Sequence, residues 1–260
     1  IIIVHLELSE ELKPYFSTKK NPFAEIMQTH GEVFRELENR STQKIILNQK
    51  SYFLKKHFGI GWREIFKNLL QLKLPVLSAK NEWQAIRHLQ KINISVPEIT
   101  AYGLQGCNPA RIQSFIMTRT LPHHISLEDY TRRWATTPPS LNEKRALIQK
   151  VANIAKCMHN AGINHRDFYL CHFLLTDDNE LFLIDLHRAG IRTAVPNRWR
   201  IKDLAGLYFS SKNIALSRQD LLHFIKAYRE APLRDIFNKE NSFWRRVKQH
   251  GDRLYQKHVT

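Results

Sequence analysis

Cysteines, long apolar runs and acidic residues are all scarce in this sequence, and each shortage excludes a class of protein. The three cysteines, Cys107, Cys157 and Cys171, form no C-x-x-C pair and leave one unpaired, which favours a reduced, cytosolic setting. Residues 1–8 are apolar, but they lack the cationic start and the cleavage site of a signal peptide. No run approaches the roughly eighteen apolar residues of a membrane-spanning helix. We therefore expect a soluble or peripheral protein.

The deficit of acidic residues makes the chain strongly basic. Only 24 Asp and Glu face 40 Lys and Arg, so the formal net charge is +16. Such a charge favours a polyanionic partner, and three kinds fit: nucleic acid, an anionic membrane surface or an acidic substrate. Charge alone does not distinguish these partners. The length of 260 residues allows one large domain or two tightly joined lobes.

Internal repeats and low-complexity linkers are also absent, and the chain changes from strand-rich to helical along its length. Asn48-Gln49 is a predicted hairpin turn in the first part. The longest helix of the second part is predicted to start after the capping residue Ser140 and to stop at Gly162. Strands are predicted over residues 44–47, 51–57, 99–103 and 111–118, and helices over residues 61–72, 81–91, 141–162, 200–212, 218–229 and 241–257.

The segment from Asn164 to Asp185 carries the strongest chemical signal. His165-Arg166-Asp167 has the form of the H-R-D catalytic-loop motif of protein kinases. The apolar run Phe173-Leu174-Leu175 follows it, and a second apolar strand ends in Asp185. We predict that Asp167 orients an attacking hydroxyl and accepts its proton, with His165 and Arg166 completing the catalytic loop. Asp185 is predicted to bind Mg²⁺, which prefers oxygen ligands. The alternatives are a loop-capping Asp167 and a solvated Asp185.

His172 is a departure from the protein-kinase pattern. It stands five residues after Asp167, where protein kinases carry a second metal-ligating Asn. Because imidazole is a poor Mg²⁺ ligand, His172 either contacts the metal or a phosphate, or it structures the loop.

The nucleotide ATP is expected to contact the first part of the chain. Lys55 ends a strand analogous to the V-A-I-K motif and is predicted to pair with Glu82, while Lys56 points to the other face. A surface ion pair is the alternative. No G-x-G-x-x-G motif is present, and Gly31 is the one glycine before Lys55, so the amides around Gly31 are candidates for cradling phosphate. The hinge positions predicted to contact the nucleotide are Met117, Thr118 and Thr120.

These observations indicate an α+β, two-lobed protein-kinase-like fold with a small β-rich N-lobe and a larger helical C-lobe. The N-lobe is predicted to comprise residues 1–117, including the extra helix 61–72, and the C-lobe residues 118–260. The extra helix has an apolar face and ends before Pro75, and it also carries basic residues that continue to Lys73. This face either packs in the core or lies on a membrane surface.

The stretch between Asp185 and Asp203 favours a small or glycan acceptor. It is too short for a long activation loop, and it contains no A-P-E element and no acidic residue. Asp203 is predicted to be buried and to brace the catalytic loop. Five cations in the stretch are predicted to bind a multiply anionic substrate, and a solvated charged face is the alternative. These cations are Arg188, Arg192, Arg198, Arg200 and Lys202.

Over most of its length the sequence resembles the bacterial lipopolysaccharide core heptose(I) kinases. One departure is Phe168, where many members carry Cys. The stretches that carry the resemblance are residues 31–38, 52–55 with His57, 59–62, 67–70, 74–77, 164–175, 184–189, and 198–200 with 202–204.

The resemblance implies an ATP- and Mg²⁺-dependent phosphotransferase that acts on the 4-hydroxyl of the first heptose of the lipopolysaccharide inner core. Its acceptor would be a lipid-anchored glycan at the cytoplasmic face of the inner membrane. Kdo carboxylates and lipid A phosphates on that acceptor would account for the basic stretch. The resemblance also makes an anionic membrane surface a partner, and an acidic carrier protein is compatible with the charge.

Two other functions stay open at this point. The first is a kinase that acts on another sugar, such as Kdo, or on protein. Alternatively, a non-catalytic kinase-like fold would serve as a basic binding module for nucleic acid or anionic lipid. The joint presence of Lys55, Glu82, Asp167 and Asp185 argues against the second function. We expect no nucleic-acid partner, because the alternation of aromatic and basic residues typical of single-strand binders is missing.

Overall fold

The computed structural model describes residues 4–37, 39–70 and 76–259. The chain divides into two compact units. Unit 1 comprises residues 1–87 and 97–121, and unit 2 comprises residues 88–96 and 122–260.

Unit 1 is built on a six-stranded antiparallel sheet in the order β1-β5-β6-β4-β3-β2. The predicted hairpin turn at Asn48-Gln49 is confirmed, since both residues have positive φ, 47° and 62°, as a tight turn between twisted strands requires. The strands are β1 (Val4–Leu8), β2 (Glu32–Leu37), β3 (Arg40–Leu47), β4 (Lys50–His57), β5 (Ile99–Gln105) and β6 (Gln113–Arg119).

The core of unit 1 depends on elements that the sequence patterns did not reveal. Two short helices, α1 (Lys13–Phe16) and α2 (Pro22–Gln28), place Phe16, Phe23 and Ile26 against the sheet. The start of α2 follows from local chemistry, because the Asn21 side chain accepts a hydrogen bond from the Ala24 N–H at 3.2 Å. Both helices are too short for their periodicity to stand out. The core cluster consists of Leu12, Phe16, Phe23, Ile26, Ile45, Tyr52, Leu54, Ala101, Phe115 and Met117.

Two predicted helices complete the first part of the chain: α3 (Gly61–Leu70) and α4 (Lys80–Lys91). The apolar face of α3 is not packed in the core, since Ile65 is its one buried residue. The predicted end of this helix, Lys73 and Pro75 lie outside the described residues.

Unit 2 is mainly helical, with a small three-stranded sheet, β10-β9-β7, and a two-stranded pair, β11-β8. Its helices are α5 (Leu127–Thr131), α6 (Leu141–Asn160), α7 (Asn197–Ser210), α8 (Arg218–Arg229) and α9 (Leu233–Val259). Its strands are β7 (His124–Ser126), β8 (Ile163–Asn164), β9 (Phe173–Thr176), β10 (Leu181–Leu183) and β11 (Gly190–Ile191).

The predicted limits of α6 are confirmed by their caps. The Ser140 side chain accepts from the Glu143 N–H at 3.2 Å, and the chain turns at Gly162 with φ +80°. Helix α9 has a kink at Glu240, where φ is −128°, and the helix predicted over residues 241–257 is the part that follows this kink. Among the described residues, no helix is both long and apolar enough to cross a membrane.

Candidate active site

The His165-Arg166-Asp167 tripeptide lies in a loop with defined ends. Strand β8 leads into the loop and pairs with β11. Arg166 adopts a left-handed backbone conformation, φ 75°, so the chain turns sharply just before Asp167. The loop passes through a short 3₁₀ turn, Leu170–His172, into β9. Strand pairing and the sharp turn together set the direction in which Asp167 leaves the backbone.

Asp203 of α7 is the main support of this loop. Its fully buried side chain accepts hydrogen bonds from the backbone N–H groups of His165, at 2.7 Å, and Arg166, at 2.8 Å. His159 Nε2 is a third donor, at 3.2 Å, and His159 Nδ1 lies 2.8 Å from the Tyr228 hydroxyl. Burial lowers the pKa of His159 and favours a neutral ring. The predicted role of Asp203 as a buried brace is confirmed.

His165 belongs to the interior of unit 2. Its side chain is fully buried, and Nε2 donates to the Ile184 carbonyl at 2.9 Å. Burial lowers the pKa of His165 and favours its neutral form. The ring stacks on His172 with centroids 5.6 Å apart. Since Ile184 directly precedes Asp185, His165 ties the loop that carries Asp167 to the segment that carries the second carboxylate.

Asp167 is held by an arginine that is itself exposed. Arg188 Nη1 donates to the two carboxylate oxygens at 2.9 and 3.2 Å. The Asp167 side chain is 16% exposed, whereas that of Arg188 is 41% exposed. The Asp167 end of the pair is partly buried and the Arg188 end is exposed, so an incoming group reaches the carboxylate by displacing Arg188. The carboxylate is therefore oriented and still accessible to a hydroxyl.

His172 connects the two predicted carboxylate residues. Its Nδ1 donates to the backbone carbonyl of Asp167 at 2.6 Å, and its Nε2 lies 3.5 Å from Asp185 Oδ2. Asp185 has a left-handed backbone, φ 61°, and its Oδ1 accepts from His187 Nδ1 at 2.6 Å. The structure thus places Asp167 and Asp185 on two sides of one imidazole, and His172 structures the loop.

Asp185 offers the donor chemistry that Mg²⁺ needs. In the described ranges, no three His, Cys, Asp or Glu side chains are grouped as metal ligands. Mg²⁺ is commonly held by one or two carboxylates while substrate phosphates and waters complete its octahedral shell. A carboxylate oriented by His172 and His187 fits that mode of binding, whereas imidazole is a poor ligand for this ion.

The guanidinium of Arg200 faces the interior of unit 2. Nε donates to the Val195 carbonyl at 3.1 Å, and Nη2 donates to the His159 carbonyl at 3.3 Å. These bonds tie the start of α7 to the end of α6. Arg200 is thus engaged inside unit 2, and its contact with the substrate stays a prediction.

Three other cations of the basic stretch surround one aromatic ring. Arg192, Arg198 and Lys202 lie 5.5, 5.3 and 5.6 Å from the centroid of Trp199. Arg166, from the His165-Arg166-Asp167 tripeptide, lies 4.7 Å from the same centroid. Trp199 has no predicted role among the sequence motifs. A tryptophan inside a run of cations was the signal available, because its ring face attracts positive charge.

The predicted Lys55–Glu82 pair forms within unit 1, with 2.6 Å between Lys55 Nζ and Glu82 Oε1. A surface ion pair is the wrong description, because the Glu82 side chain is only 5% exposed. Lys56 points to the opposite face and donates to the Thr29 carbonyl, and burial lowers its pKa. The predicted alternation of these two lysines is confirmed.

The helix that carries Glu82 is held by the first strand, a contact that sequence reasoning missed. Glu7 of β1 accepts from Trp83 Nε1 at 3.2 Å and from Arg87 Nη2 at 2.6 Å. Trp83 also stacks on Tyr102 of β5, with centroids 4.7 Å apart. Because Trp83 is next to Glu82 in α4, these contacts fix the helix and hence the carboxylate that meets Lys55.

The remaining predicted nucleotide contacts lie at strand ends of unit 1. Gly31 directly precedes β2, and a Cβ atom there would overlap the Lys44 carbonyl oxygen, so close packing alone requires glycine. Met117 of β6 is fully buried, and Thr118 and Thr120 lie at the end of that strand. Their contacts with a nucleotide stay predictions.

Comparisons with known proteins agree on one family. The model described as "Lipopolysaccharide kinase (Kdo/WaaP) family" matches residues 24–228. An Escherichia coli protein named lipopolysaccharide core heptose(I) kinase WaaP is 50% identical over 240 residues, which cover 88% of this chain and 91% of that protein. A Pseudomonas aeruginosa protein of the same name is 44% identical over 261 residues, covering 98% and 97%. A solved structure described as WaaP in complex with acyl carrier protein has a TM-score of 0.84 at 39% identity, covering 96% of this chain and 99% of that one.

Proposed function

Because this chain belongs to the lipopolysaccharide kinase (Kdo/WaaP) family, we propose that its catalytic loop transfers a phosphoryl group from ATP to a sugar hydroxyl, with Asp167 receiving the proton. Its function is that of a heptose(I) kinase in lipopolysaccharide core biosynthesis, a phosphotransferase acting on a hydroxyl group. The 4-hydroxyl of the first heptose is the proposed nucleophile. The observation that supports this site is the accessible Asp167 carboxylate on a loop braced by buried Asp203.

Asp167 acts by orientation and late proton transfer. Its carboxylate accepts a hydrogen bond from the heptose hydroxyl and aims the oxygen at the terminal phosphorus. The new bond joins the heptose oxygen to phosphorus, the bond to the β,γ-bridging oxygen breaks, and the hydroxyl proton passes to Asp167. Arg188 moves from Asp167 to the incoming acceptor. His165, Arg166 and Asp203 hold the loop.

Two further residues serve the phosphates and the metal. Lys55, oriented by Glu82, is the proposed phosphate contact in unit 1. Asp185 is the proposed Mg²⁺ ligand in unit 2, and His172 supports it through the loop. When bound, Mg²⁺ neutralises charge that develops on the phosphate oxygens.

The test of the proposed function is incubation with ATP, Mg²⁺ and purified core lipopolysaccharide from which the heptose phosphates have been removed. We expect the glycan to gain one phosphoryl group, which fragmentation in the mass spectrometer locates on the first heptose. Phosphate found on Kdo would assign the enzyme to another sugar. No gain with any glycan, despite binding of anionic vesicles, would favour the non-catalytic binding module.

We further propose that α3 rests on the surface of an anionic membrane, which would place the enzyme beside its lipid-anchored acceptor. Its side chains Trp62, Phe66 and Leu70 are 50%, 59% and 87% exposed. The rings of Trp62 and Phe66 stack with centroids 6.0 Å apart and form a continuous apolar face. Arg63 and Lys67 lie on the same helix and supply cations for acidic headgroups. An amphipathic helix with aromatic and basic faces is typical of membrane interfaces.

Replacing Trp62 and Phe66 together with alanine is expected to weaken binding to phosphatidylglycerol vesicles about tenfold for each ring removed. Sedimentation with the vesicles measures this loss. Transfer to a soluble, deacylated core oligosaccharide should be unchanged, because the chemistry lies elsewhere. Ile46→Ala is the matched control, since Ile46 is 71% exposed in unit 1 but lies on β3. An equal loss in that control would show that α3 is not the contact.

An acyl carrier protein is a second proposed partner. The solved structure of a relative is that of WaaP in complex with acyl carrier protein. Unit 2 contains an apolar cavity of about 650 Å³, and Arg218, Arg245 and Lys248 are among its lining residues. A cavity of this size and polarity suits an acyl chain, and the cations suit an acidic carrier. The apolar lining includes Leu147, Val151, Leu207, Phe224 and Trp244.

A variant with a filled cavity distinguishes the contribution of the acyl chain to binding from that of the carrier surface. Val151→Phe is expected to weaken binding of an acylated carrier about tenfold and to leave the weaker binding of the unacylated carrier unchanged. Calorimetric titration of both carriers measures the difference. Wild-type protein that binds both forms equally would exclude the cavity as the acyl site. Thermal unfolding of the variant controls for overpacking, which costs about 1–3 kcal/mol.

A further inference from the structure

We propose that Trp199 and the cations around it form a subsite for an anionic group of the acceptor, a carboxylate or a phosphate monoester, next to Asp167. This Trp199 cluster consists of Arg166, Arg192, Arg198, Trp199 and Lys202. The proposal rests on the proposed function, because it concerns the acceptor of the same reaction.

The cluster holds far more positive than negative charge. Its four cations lie within 4.7–5.6 Å of one ring centroid. Among the described residues, none of the four forms an ion pair with a carboxylate: Asp167 pairs with Arg188, and Asp203 binds backbone N–H groups and His159. The ring face of Trp199 attracts the four cations and so reduces the repulsion among them, but it carries no net negative charge.

The pKa values of the cluster reflect the crowding. Burial lowers the pKa of Arg166, and the neighbouring Arg192 and Arg188 lower it further. Burial and Arg188 likewise lower the pKa of Lys202. Arg166 and Lys202 therefore lie in surroundings that disfavour their charge, and an anion beside them would relieve both the burial cost and the repulsion.

Two hydrogen-bond donors of the cluster lack an acceptor. Arg166 Nε and Trp199 Nε1 are buried, and in the part of the chain that the structure describes they have no hydrogen-bond partner. Buried donors are almost always satisfied, so such groups call for an explanation. Both atoms donate and cannot accept. The oxygen atoms of a carboxylate or phosphate would satisfy them.

Hydrogen bonds fix both the backbone and the side chain of Arg192. Its N–H donates to the Gly162 carbonyl at 2.9 Å, and its Nη1 donates to Asn164 Oδ1. A Cβ atom on Gly190 would overlap Arg192 Nη1 and Asn164 Oδ1, so glycine is required for this approach. The guanidinium is therefore preorganised, which lowers the entropic cost of binding an anion.

The cluster also explains why the acceptor, rather than the nucleotide, is the ligand. Arg166 directly precedes Asp167, and the charge of Asp167 acts on both Arg166 and Lys202. An anion bound there lies beside the carboxylate that receives the hydroxyl proton. An acceptor carrying an anionic group close to its reacting hydroxyl would be aligned by it, whereas an acceptor without that group would bind less tightly.

The test compares Arg192→Gln with wild type on three forms of the core lipopolysaccharide acceptor: intact, with amidated sugar carboxylates, and with the lipid phosphates removed. Binding is followed by titration without ATP, and KM for acceptor and for ATP by transfer assays. We expect wild type to lose about tenfold to a hundredfold in affinity for one of the two altered acceptors, which identifies the source of the anion. The affinity of Arg192→Gln for the intact acceptor should fall by the same factor. Its affinity for that altered acceptor should fall no further, and its KM for ATP should equal that of wild type.

Arg234→Gln is the matched control, because Arg234 is exposed in α9 and lies outside the cluster. Trp199→Phe, which keeps an aromatic ring but removes the N–H, should give a smaller loss of the same kind. The proposal is overturned if Arg192→Gln raises the KM for ATP as much as that for the acceptor, or if it weakens all three acceptors equally. If wild type binds the acceptors selectively but transfers no phosphate, the proposed function fails while the subsite stands.

Discussion

Replacing Asp167 with asparagine is expected to lower kcat by about 10²–10⁴-fold and to leave the KM for ATP near its wild-type value. Asparagine keeps the shape of the side chain and still contacts the heptose hydroxyl, but it cannot take the proton. No nucleotide group is proposed to bind Asp167, so ATP affinity should persist. Steady-state transfer to the core glycan and equilibrium binding of ATP measure the two effects.

The control for this variant is Asp178→Asn, which changes an exposed carboxylate in the turn after β9. It should keep wild-type turnover. Asp167→Asn also leaves Arg188 without its carboxylate partner, so a small change in the acceptor KM is expected. Wild-type turnover by Asp167→Asn would remove this residue from the chemistry and leave the reaction without its base.

Replacing Asp203 with alanine is expected to lower the free energy of unfolding by about 2–5 kcal/mol and to abolish measurable transfer. The change leaves the backbone N–H groups of His165 and Arg166 buried and without acceptors. His159 Nε2 loses its partner as well. Each orphaned buried donor costs about 1–3 kcal/mol, and the loop can recover that energy only by moving away from its catalytic position.

Urea denaturation gives the stability change, provided that its slope is unchanged from wild type. Asp235→Ala serves as the matched control, because Asp235 is an exposed carboxylate in the first turn of α9 and should change stability by less than about 0.5 kcal/mol. Asp203→Asn keeps one acceptor oxygen and should fall between alanine and wild type. Full activity in Asp203→Ala would mean that the loop holds its shape without the brace.

The geometry also suggests how this kinase works with a short segment between Asp185 and Asp203. In regulated protein kinases, activation controls whether the lysine–glutamate pair and the metal-binding aspartate are in place. Here the Lys55–Glu82 pair is already formed, and Glu7 holds its helix through Trp83 and Arg87. Unit 1 therefore needs no added phosphate to assemble the pair.

Sequence patterns predicted the elements whose signals are local. The hairpin at Asn48-Gln49, the alternation of Lys55 and Lys56, and the caps of α6 each depend on residues a few positions apart. The missed elements, α1 and α2, are short, and β1 is an edge strand that pairs with β5, about a hundred residues later. Periodicity cannot report such pairings, because their partners are distant in the chain.

The candidate active site likewise has features that depend on neighbouring residues and features that depend on distant ones. The sequence by itself predicted the reactive groups of this protein, Asp167 and Asp185, because motif spacing is a property of neighbouring residues. Only the tertiary structure decided what the basic stretch does: Arg188 meets Asp167, Arg200 turns to interior carbonyls, and the cations that remain gather around Trp199. Residues of one charge look alike in a sequence, and they become different only when folding gives each its own partners and burial.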